Sequence, residues 1–228
     1  MVSTCLKDSL CFTLSQINSI MKEVLIINAH QKYDGISEGR LNKTLAQQAK
    51  SFFREHDIRV SETIIDQGYD VDEEVEKHLL SDLIVLQTPI NWATLPWSYK
   101  KYADEVFNKG LFSGKMATND GRMLSDPTKQ YGSGGLMTGR AMFISATWNA
   151  PQNCFDDNEQ LWMGGGSADD VLLNVTLNYK FFGYEILPGY HCFDVLKNPK
   201  PEHYFEGYGT YLNNTLQQLK ATKITHIS

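Results

Sequence analysis

The sequence contains few cysteines, and their spacing does not suggest a metal site. Its 228 residues include four, Cys5, Cys11, Cys154 and Cys192, and no C-x-x-C pair occurs. A zinc site is therefore not expected, and no histidine stands four residues from another in the pattern of a metal-binding helix. We interpret the cysteines as free thiols of a protein in a reducing compartment, which predicts a cytoplasmic location.

Long hydrophobic runs and basic clusters are also missing. No apolar stretch approaches the length of a membrane-spanning helix. The formal net charge is −6, the pI is about 5.5, and no dense run of lysine and arginine appears. These absences argue against insertion into a membrane and against binding to nucleic acid.

A secretory signal is not evident at the start of the chain. The first twenty residues carry one lysine, one aspartate and a broken apolar pattern, whereas a signal peptide has a basic start and a continuous apolar stretch. We expect residues 1–21 to be a disordered N-terminal extension. Residues 22–228 are then expected to form one domain, which is large enough to bury a core without disulfides or metals.

The glycine fingerprints of common nucleotide-binding loops are absent as well. Neither G-x-G-x-x-G nor G-x-x-x-x-G-K-[ST] occurs, which disfavours an ordinary dinucleotide-binding fold and a P-loop. What is present, from Val24 to Leu45, is an apolar strand, a polar loop and a helix that opens near Gly39. The amide groups and the positive dipole end at a helix start form a site for phosphate.

Strands and helices alternate along the rest of the chain. Apolar runs predict strands at residues 24–29, 58–65, 83–86, 141–147 and 184–187. Helical spacing of apolar residues predicts helices at residues 41–53, 71–80, 96–107 and 202–219, with a long loop at 110–139. This alternation predicts an α/β fold with a parallel sheet and right-handed crossovers.

Three polar loops are expected to meet at one edge of that sheet, namely 30–44, 88–95 and 147–151. Ligands of such sheets bind beyond the carboxyl ends of the strands, so this edge is the predicted site. Each loop also has a purely structural interpretation. Ser37 would cap a helix, Trp92 would pack against the sheet edge, and residues 147–151 would form a capped turn ended by proline.

Two glycine-rich segments, 132–139 and 164–166, indicate mobile loops or a close approach of the backbone to a ligand. Tyr131 stands directly before the first segment and is placed to close over a ligand. No Ser-His-Asp order and no paired carboxylates are evident. That pattern suits an enzyme in which a cofactor carries the chemistry.

Six segments of the chain carry a family resemblance. The motifs are Ala29-His30-Gln31, Ser37-x-Gly39-x-Leu41-Asn42-x-Thr44, Pro89-x-x-Trp92 and Thr147-Trp148-Asn149-Ala150-Pro151, with the segments 96–102 and 129–136. In combination they resemble the flavodoxin-like NAD(P)H:quinone oxidoreductases, and most of all the bacterial branch called modulator of drug activity B. The resemblance extends over residues 22–219.

The resemblance implies a flavodoxin-like, doubly wound parallel sheet of five strands in the order 2-1-3-4-5, with helices on both faces. It also implies a homodimer with FAD at each interface. The residues implied to hold the pyrophosphate are Ser37, Gly39, Arg40, Leu41, Asn42, Lys43 and Thr44. Those implied to line the isoalloxazine are Pro89, Ile90, Asn91, Trp92, Thr147, Trp148, Asn149 and Ala150. Tyr131 would cap the ring, and His30 would lie beside the cofactor.

The activity implied is a two-electron, ping-pong reduction of quinones. NADPH would pass a hydride to N5 of the flavin, a quinone would then accept it, and no side chain would be catalytic. Arg122, Lys129 and Arg140 are candidate partners for the 2′-phosphate of NADPH. Two other functions stay open: an ancillary subunit of a transport system, and an electron carrier with FMN. The loop of about ten residues before Gly39 is long for a carrier and suits the longer FAD.

Three departures from the family pattern stand out. Ile90 and Asn91 occupy positions where the branch has Gly-Trp, so the ring pocket is expected to be less aromatic. Glu38 and Lys43 replace Asn and Asp in the phosphate loop and change its charge. The Tyr-His pair proposed to relay protons in the animal enzymes has no match after Ala150.

Overall fold

The computed structural model of the protein describes residues 21–225, with side chains up to residue 221. The predicted extension before Met21 lies outside the described residues. Met21 itself, which we assigned to that extension, is buried and packs in the core of the domain.

A parallel sheet forms the centre of the domain. Its first four strands are β1 (Glu23–Asn28), β2 (Arg59–Ile64), β3 (Leu83–Pro89) and β4 (Ala141–Thr147). With a fifth strand, β5 (Glu185–Ile186), the order β2-β1-β3-β4-β5 confirms the predicted topology. Pairing is parallel throughout, and the register places Asn28 beside Gln87 and Pro89 beside Thr147. The carboxyl ends of β1, β3 and β4 therefore lie side by side.

The fifth position of the sheet is occupied by two short strands instead of the single predicted one. Strand β5 (Glu185–Ile186) and strand β6 (Tyr190–Cys192) both pair with β4. Pro188 and Gly189 lie between them. Proline has no N–H to donate to a neighbouring strand, and this breaks the ladder.

The three central strands are buried along their whole length, as their apolar sequences predicted. Alternate residues of each strand face opposite layers of helices, so both faces are apolar. In β1, Leu25 and Ile27 belong to one core cluster, whereas Val24 and Ile26 belong to the other.

Among residues 21–225, six α-helices cover the sheet. They are α1 (Arg40–Glu55), α2 (Val71–Leu80), α3 (Trp97–Phe112), α4 (Ala168–Val171), α5 (Leu173–Phe182) and α6 (Pro201–Thr225). Phe53 of α1 and Leu212 of α6 pack on one face. Val75, Val106 and Val175, from α2, α3 and α5, pack on the other. Helices thus lie on both faces, as predicted.

Helices α4 and α5 are absent from the sequence-based prediction. A capping box starts α4, in which Ser167 Oγ accepts from the Asp170 N–H and Asp170 accepts from the Ser167 N–H. The buried residues Leu172, Val175 and Tyr179 follow at helical spacing. Both signals were present in the sequence.

A polar cluster is buried beneath α2 and α3. The Glu74 carboxylate accepts hydrogen bonds from Tyr102 OH at 2.8 Å and from Lys77 Nζ at 2.6 Å. His78 bonds through Nε2 to Tyr102 OH and through Nδ1 to Tyr184 OH, both at 3.1 Å. Since Tyr102 donates to Glu74, it accepts from His78 Nε2–H, and Nδ1 accepts from Tyr184. Burial lowers the pKa of His78 to about 3, so this imidazole is neutral.

Within residues 21–225, no helix is both long enough and apolar enough to cross a membrane. In the same part of the chain, no group of three or more His, Cys, Asp or Glu side chains is placed to hold a metal ion.

Candidate functional site

The three predicted loops leave the sheet at the same edge, because the ends of β1, β3 and β4 are neighbours. Two backbone hydrogen bonds tie the loops together near the strands. The Ala29 N–H donates to the Gln87 carbonyl at 2.8 Å, and the Ile90 N–H donates to the Thr147 carbonyl at 2.9 Å. This edge is the crevice expected for a ligand of a doubly wound sheet.

The first loop forms a small hairpin before α1. Tyr33 and Ser37 pair across it through two backbone hydrogen bonds of 3.0 and 2.8 Å. Gly35 turns the chain with a φ of 72°, and the Glu38 carboxylate accepts its N–H at 3.1 Å. Lys32 forms an ion pair with Asp34 at 2.6 Å. Glu38, one of the departures from the family pattern, therefore stabilises the turn of the hairpin.

His30 and Gly39 fit together at the base of that hairpin. A Cβ atom on Gly39 would lie 2.5 Å from the His30 ring, and the φ of Gly39 is 72°. Position 39 consequently needs glycine for two independent reasons. His30 Nε2 lies 3.1 Å from Ser37 Oγ. Burial lowers the pKa of His30 and outweighs the opposite effects of Asp66, Ser37 and Glu38.

Helix α1 begins without a side-chain cap among the described residues. Gly39 occupies the N-cap position, and Ser37, which could have capped the helix, contacts His30 instead. The first turn contains the exposed residues Arg40 and Lys43 and no acid. Uncapped amides flanked by cations form an anion site. The prediction of a phosphate site refers to this helix start.

Two predicted phosphate ligands are engaged elsewhere. Asn42 is buried and bridges two strands, since its Nδ2 donates to Thr147 Oγ1 at 3.1 Å and its Oδ1 accepts from Gln87 Nε2 at 2.8 Å. Thr44 Oγ1 donates back to the Arg40 carbonyl at 3.0 Å. The half-buried Leu41 packs against the core. At these three positions the side chains serve the fold, so the predicted contacts with phosphate would be made by the backbone.

The second loop presents an exposed tryptophan. Asn91 and Thr94 pair as a tight turn through backbone hydrogen bonds of 2.8 and 3.2 Å. The two residues at its tip, Trp92 and Ala93, have φ values of 52° and 62°, a left-handed conformation that is costly outside glycine. Trp92 is 100% exposed, so it does not pack against the sheet edge.

The third loop is oriented differently from the prediction. The Trp148 indole is buried, donates from Nε1 to His191 Nδ1 at 3.1 Å, and packs against Phe155. The predicted contact of Trp148 with the cofactor ring would therefore be made by its backbone. Asn149 is exposed, and no described residue accepts a hydrogen bond from the backbone N–H of Asn149 or Ala150. Two amides of this turn are therefore available to a ligand.

An apolar groove of about 1260 Å³ opens between α3, α5 and the loop that contains Tyr131. Asn91 and Trp92 line one end of it, and Tyr131 lines it beside Phe181, with 5.4 Å between the ring centroids. Tyr33 and Trp97, which are absent from the predicted site, also border this groove. Both are exposed aromatic residues close to the predicted loops.

Of the three predicted partners for a 2′-phosphate, two are already engaged. Arg140 donates to the carbonyls of Leu79 and Ser81 at 2.7 and 3.1 Å, where it caps the end of α2. Arg122 pairs with Asp120 and lies over the Tyr131 ring at 5.6 Å. Arg140 is therefore not free to bind the 2′-phosphate of NADPH. Lys129 has no ion-pair partner among the described residues.

Comparison with known proteins agrees with this architecture. A sequence profile of a family described as having a flavodoxin-like fold matches residues 22–215. NADPH:quinone oxidoreductase MdaB of Haemophilus influenzae is 38% identical over 189 residues, which cover 83% of this chain and 96% of that protein.

Two solved structures share the fold. A Klebsiella pneumoniae protein described as a quinone reductase superposes with a TM-score of 0.64 at 19% identity, over 87% of this chain and 85% of that one. General stress protein 14 of Treponema denticola, in complex with FMN, superposes with a TM-score of 0.54 at 19% identity, over 87% and 99% of the two chains.

Proposed function

We propose that this chain, which belongs to the flavodoxin-like fold family, is an NAD(P)H:quinone oxidoreductase that uses bound flavin. The observation that carries the proposal is the meeting of three loops at one sheet edge. There the uncapped start of α1 and the two free amides belong to the first and third loops, and Asn91 and Trp92 of the second loop line one end of the apolar groove. The H. influenzae relative, an NADPH:quinone oxidoreductase at 38% identity, supports the same activity.

The residues of the crevice fit a flavin with a phosphate-bearing tail. The uncapped amides of α1, with Arg40 and Lys43 beside them, would hold the phosphates, and Gly39 lets the backbone approach closely. The free amides of Asn149 and Ala150 would face the ring where negative charge develops on reduction. When bound, the flavin supplies the two-electron transfer that side chains cannot perform.

FAD is proposed over FMN because of the first loop. Its hairpin, paired at Tyr33 and Ser37, lengthens the connection between β1 and α1, and Tyr33 borders the apolar groove. A shorter loop is enough for the single phosphate of FMN. The structure that holds FMN in the same fold, at 19% identity, keeps the alternative of an FMN carrier worth testing.

Exposed aromatic faces in the groove suit flat substrates. Trp92 and Tyr131, which are 100% and 70% exposed, offer ring surfaces for a nicotinamide and for a quinone. We propose that the two substrates occupy this position in turn, which makes the reaction ping-pong. The described cysteines, Cys154 and Cys192, are free thiols, which agrees with a cytoplasmic location.

The proposal is tested by loading and turnover. The purified protein is incubated with an equimolar mixture of FAD and FMN, desalted, and the released flavin is identified by mass. We expect FAD, and NADPH oxidation that depends on menadione. FMN with slow turnover would instead indicate a carrier, and bound flavin with negligible turnover would favour an ancillary subunit. A protein that stays colourless and leaves NADPH unoxidised would overturn the proposal.

We also propose that the chain forms a homodimer through the groove. Trp97 on α3 is 63% exposed and Leu177 on α5 is 49% exposed, although both border an apolar surface. Monomeric proteins seldom leave such large apolar patches open. A second copy of the chain would cover this surface and bring its own Tyr131 close to the crevice.

Leu177→Arg is expected to convert the dimer to a monomer, because a charge would have to be buried in the interface. Sedimentation velocity at micromolar concentration measures the mass. The matched control is Leu80→Arg on α2, where the leucine is 62% exposed and does not border the groove. If both variants keep the mass of the unsubstituted protein, this groove is not the interface.

A further inference from the structure

A hydrogen-bonded chain of three side chains lies directly behind the third loop. Trp148 Nε1–H donates to His191 Nδ1 at 3.1 Å, and His191 Nε2 lies 3.0 Å from Asp169 Oδ1. An indole N–H is only a donor, so His191 Nδ1 must accept, and the proton of the neutral ring is on Nε2. Asp169 therefore accepts from His191, and both hydrogen bonds are donated in the direction from Trp148 to Asp169.

The Asp169–His191 contact is held by a close-fitting backbone. The Gly189 N–H donates to both Asp169 carboxylate oxygens, at 3.1 and 3.2 Å. A Cβ atom on Gly189 would lie 2.5 Å from Asp169 Oδ1 and 2.7 Å from His191 Nε2. Although burial raises the pKa of Asp169, hydrogen bonds from His191 and Gly189 reverse this and lower it. The carboxylate is thus kept ionised and ready to accept.

The backbone after His191 clamps the same loop. The Trp148 N–H donates to the Cys192 carbonyl at 2.8 Å, and the Val195 N–H donates to the Trp148 carbonyl at 3.0 Å. The Asp194 N–H donates to the Ala150 carbonyl at 3.0 Å. Residues 192–195 hold the backbone of the turn, and His191 holds the indole of Trp148. Between these attachments, the amides of Asn149 and Ala150 stay free.

We propose that His191, whose tautomer Asp169 sets, is a positioning residue that fixes the Trp148 indole and thereby aims the Asn149 and Ala150 amides at the cofactor. This role rests on the proposed function, since it needs a flavin in the crevice. In this role, His191 and Asp169 would touch neither substrate nor cofactor. They would act through the rotation of Trp148, whose backbone is continuous with both amides.

A change in the aim of the amides affects the two redox states of the cofactor unequally. Hydrogen bonds to a charged acceptor are stronger than those to a neutral one. Loss of alignment should therefore weaken binding of the reduced, anionic state more than binding of the oxidised state. Damage to folding alone would weaken both states equally and leave the midpoint potential unchanged.

Two substitutions at position 191 separate the two bonds of the imidazole. In His191→Asn, the amide oxygen takes the place of Nδ1 and still accepts from Trp148. His191→Gln keeps a donor at the position of Nε2 for Asp169, but its amide oxygen does not lie at the position of Nδ1, so the acceptor for the indole is lost. His203→Gln, at an exposed position on α6, is the matched control.

The midpoint potential of the bound flavin is measured in the four proteins, with separate dissociation constants for the oxidised and reduced states. We expect His191→Gln to reduce the ratio of reduced-state to oxidised-state affinity about tenfold, which lowers a two-electron potential by about 30 mV. His191→Asn and His203→Gln should keep the potential of the unsubstituted protein. In the apoprotein, the indole ¹⁵N–¹H resonance of Trp148 should shift in His191→Gln only.

The outcomes distinguish the two proposals. Bound flavin with one common potential in all four proteins would overturn the role of His191 and leave the reductase intact. An unsubstituted protein that takes up no flavin would overturn the proposed function and this role together. A potential that falls equally in His191→Asn and His191→Gln would also contradict the positioning role of His191, because only His191→Gln loses the acceptor for Trp148.

Discussion

Gly39→Ala is expected to reduce flavin affinity by about 100-fold, or roughly 2.7 kcal/mol. The new Cβ would lie 2.5 Å from the His30 ring, so the ring would have to leave its place against Ser37. A left-handed backbone adds about 1–2 kcal/mol of strain to any residue with a side chain. The affinity is measured by titrating the apoprotein with FAD and monitoring the quenching of flavin fluorescence.

Gly35→Ala is the control for this prediction. Gly35 lies in the same loop with the same φ of 72°, but a Cβ there would meet no atom within 4 Å. Both variants therefore carry the backbone strain, and only Gly39→Ala displaces His30. We expect Gly35→Ala to bind FAD with an affinity within about threefold of the unsubstituted protein. Equal losses in both would show that backbone strain alone is responsible.

Acidification below about pH 6.5 is expected to destabilise the protein steeply through His78. Burial lowers the pKa of this residue in the folded state from 6.5 to about 3. The unfolded chain therefore takes up a proton first as the pH falls. Stability is fully present above pH 6.5 and decreases by about 1.4 kcal/mol for each pH unit below it, until the folded imidazole is also protonated.

The measurement compares urea unfolding at about pH 7.5 and about pH 4.5. Carboxylates contribute to any such slope, so the His78→Gln variant isolates the imidazole, because its amide does not titrate. We expect His78→Gln to lose about 2–3 kcal/mol less stability between the two pH values than the unsubstituted protein. His203→Gln, which removes an exposed histidine, should retain the full slope. If the slopes of all three proteins coincide, His78 is not the group responsible.

The sheet could be predicted from the sequence because its signals are local. The apolar runs at residues 83–86 and 141–147 predict strands, and alternation with helices leads to parallel pairing. The resemblance supplied the strand order. The meeting of the three loops then follows from geometry, because the ends of β1, β3 and β4 share one edge.

The orientation of individual side chains could not be predicted, because their partners are distant in sequence. The indole of Trp148 is fixed by His191, 43 residues further along the chain. Asn42 is fixed by Gln87 and by Thr147, at separations of 45 and 105 residues. No periodicity or motif near Asn42 or Trp148 records those bonds. Residues chosen by motif therefore include some that serve the fold.

The interrupted fifth position of the sheet protects this edge, opposite the edge formed by β2, from pairing with a strand of another chain. An outermost strand offers unpaired N–H and C=O groups on which another chain can build an intermolecular sheet. Here that border consists of Glu185–Ile186 and Tyr190–Cys192, and Pro188 between them has no N–H to offer. Segments of two and three residues are too short to template a growing fibril. The interruption at Pro188 and Gly189, which also places the Gly189 N–H against Asp169, therefore disfavours aggregation at this edge.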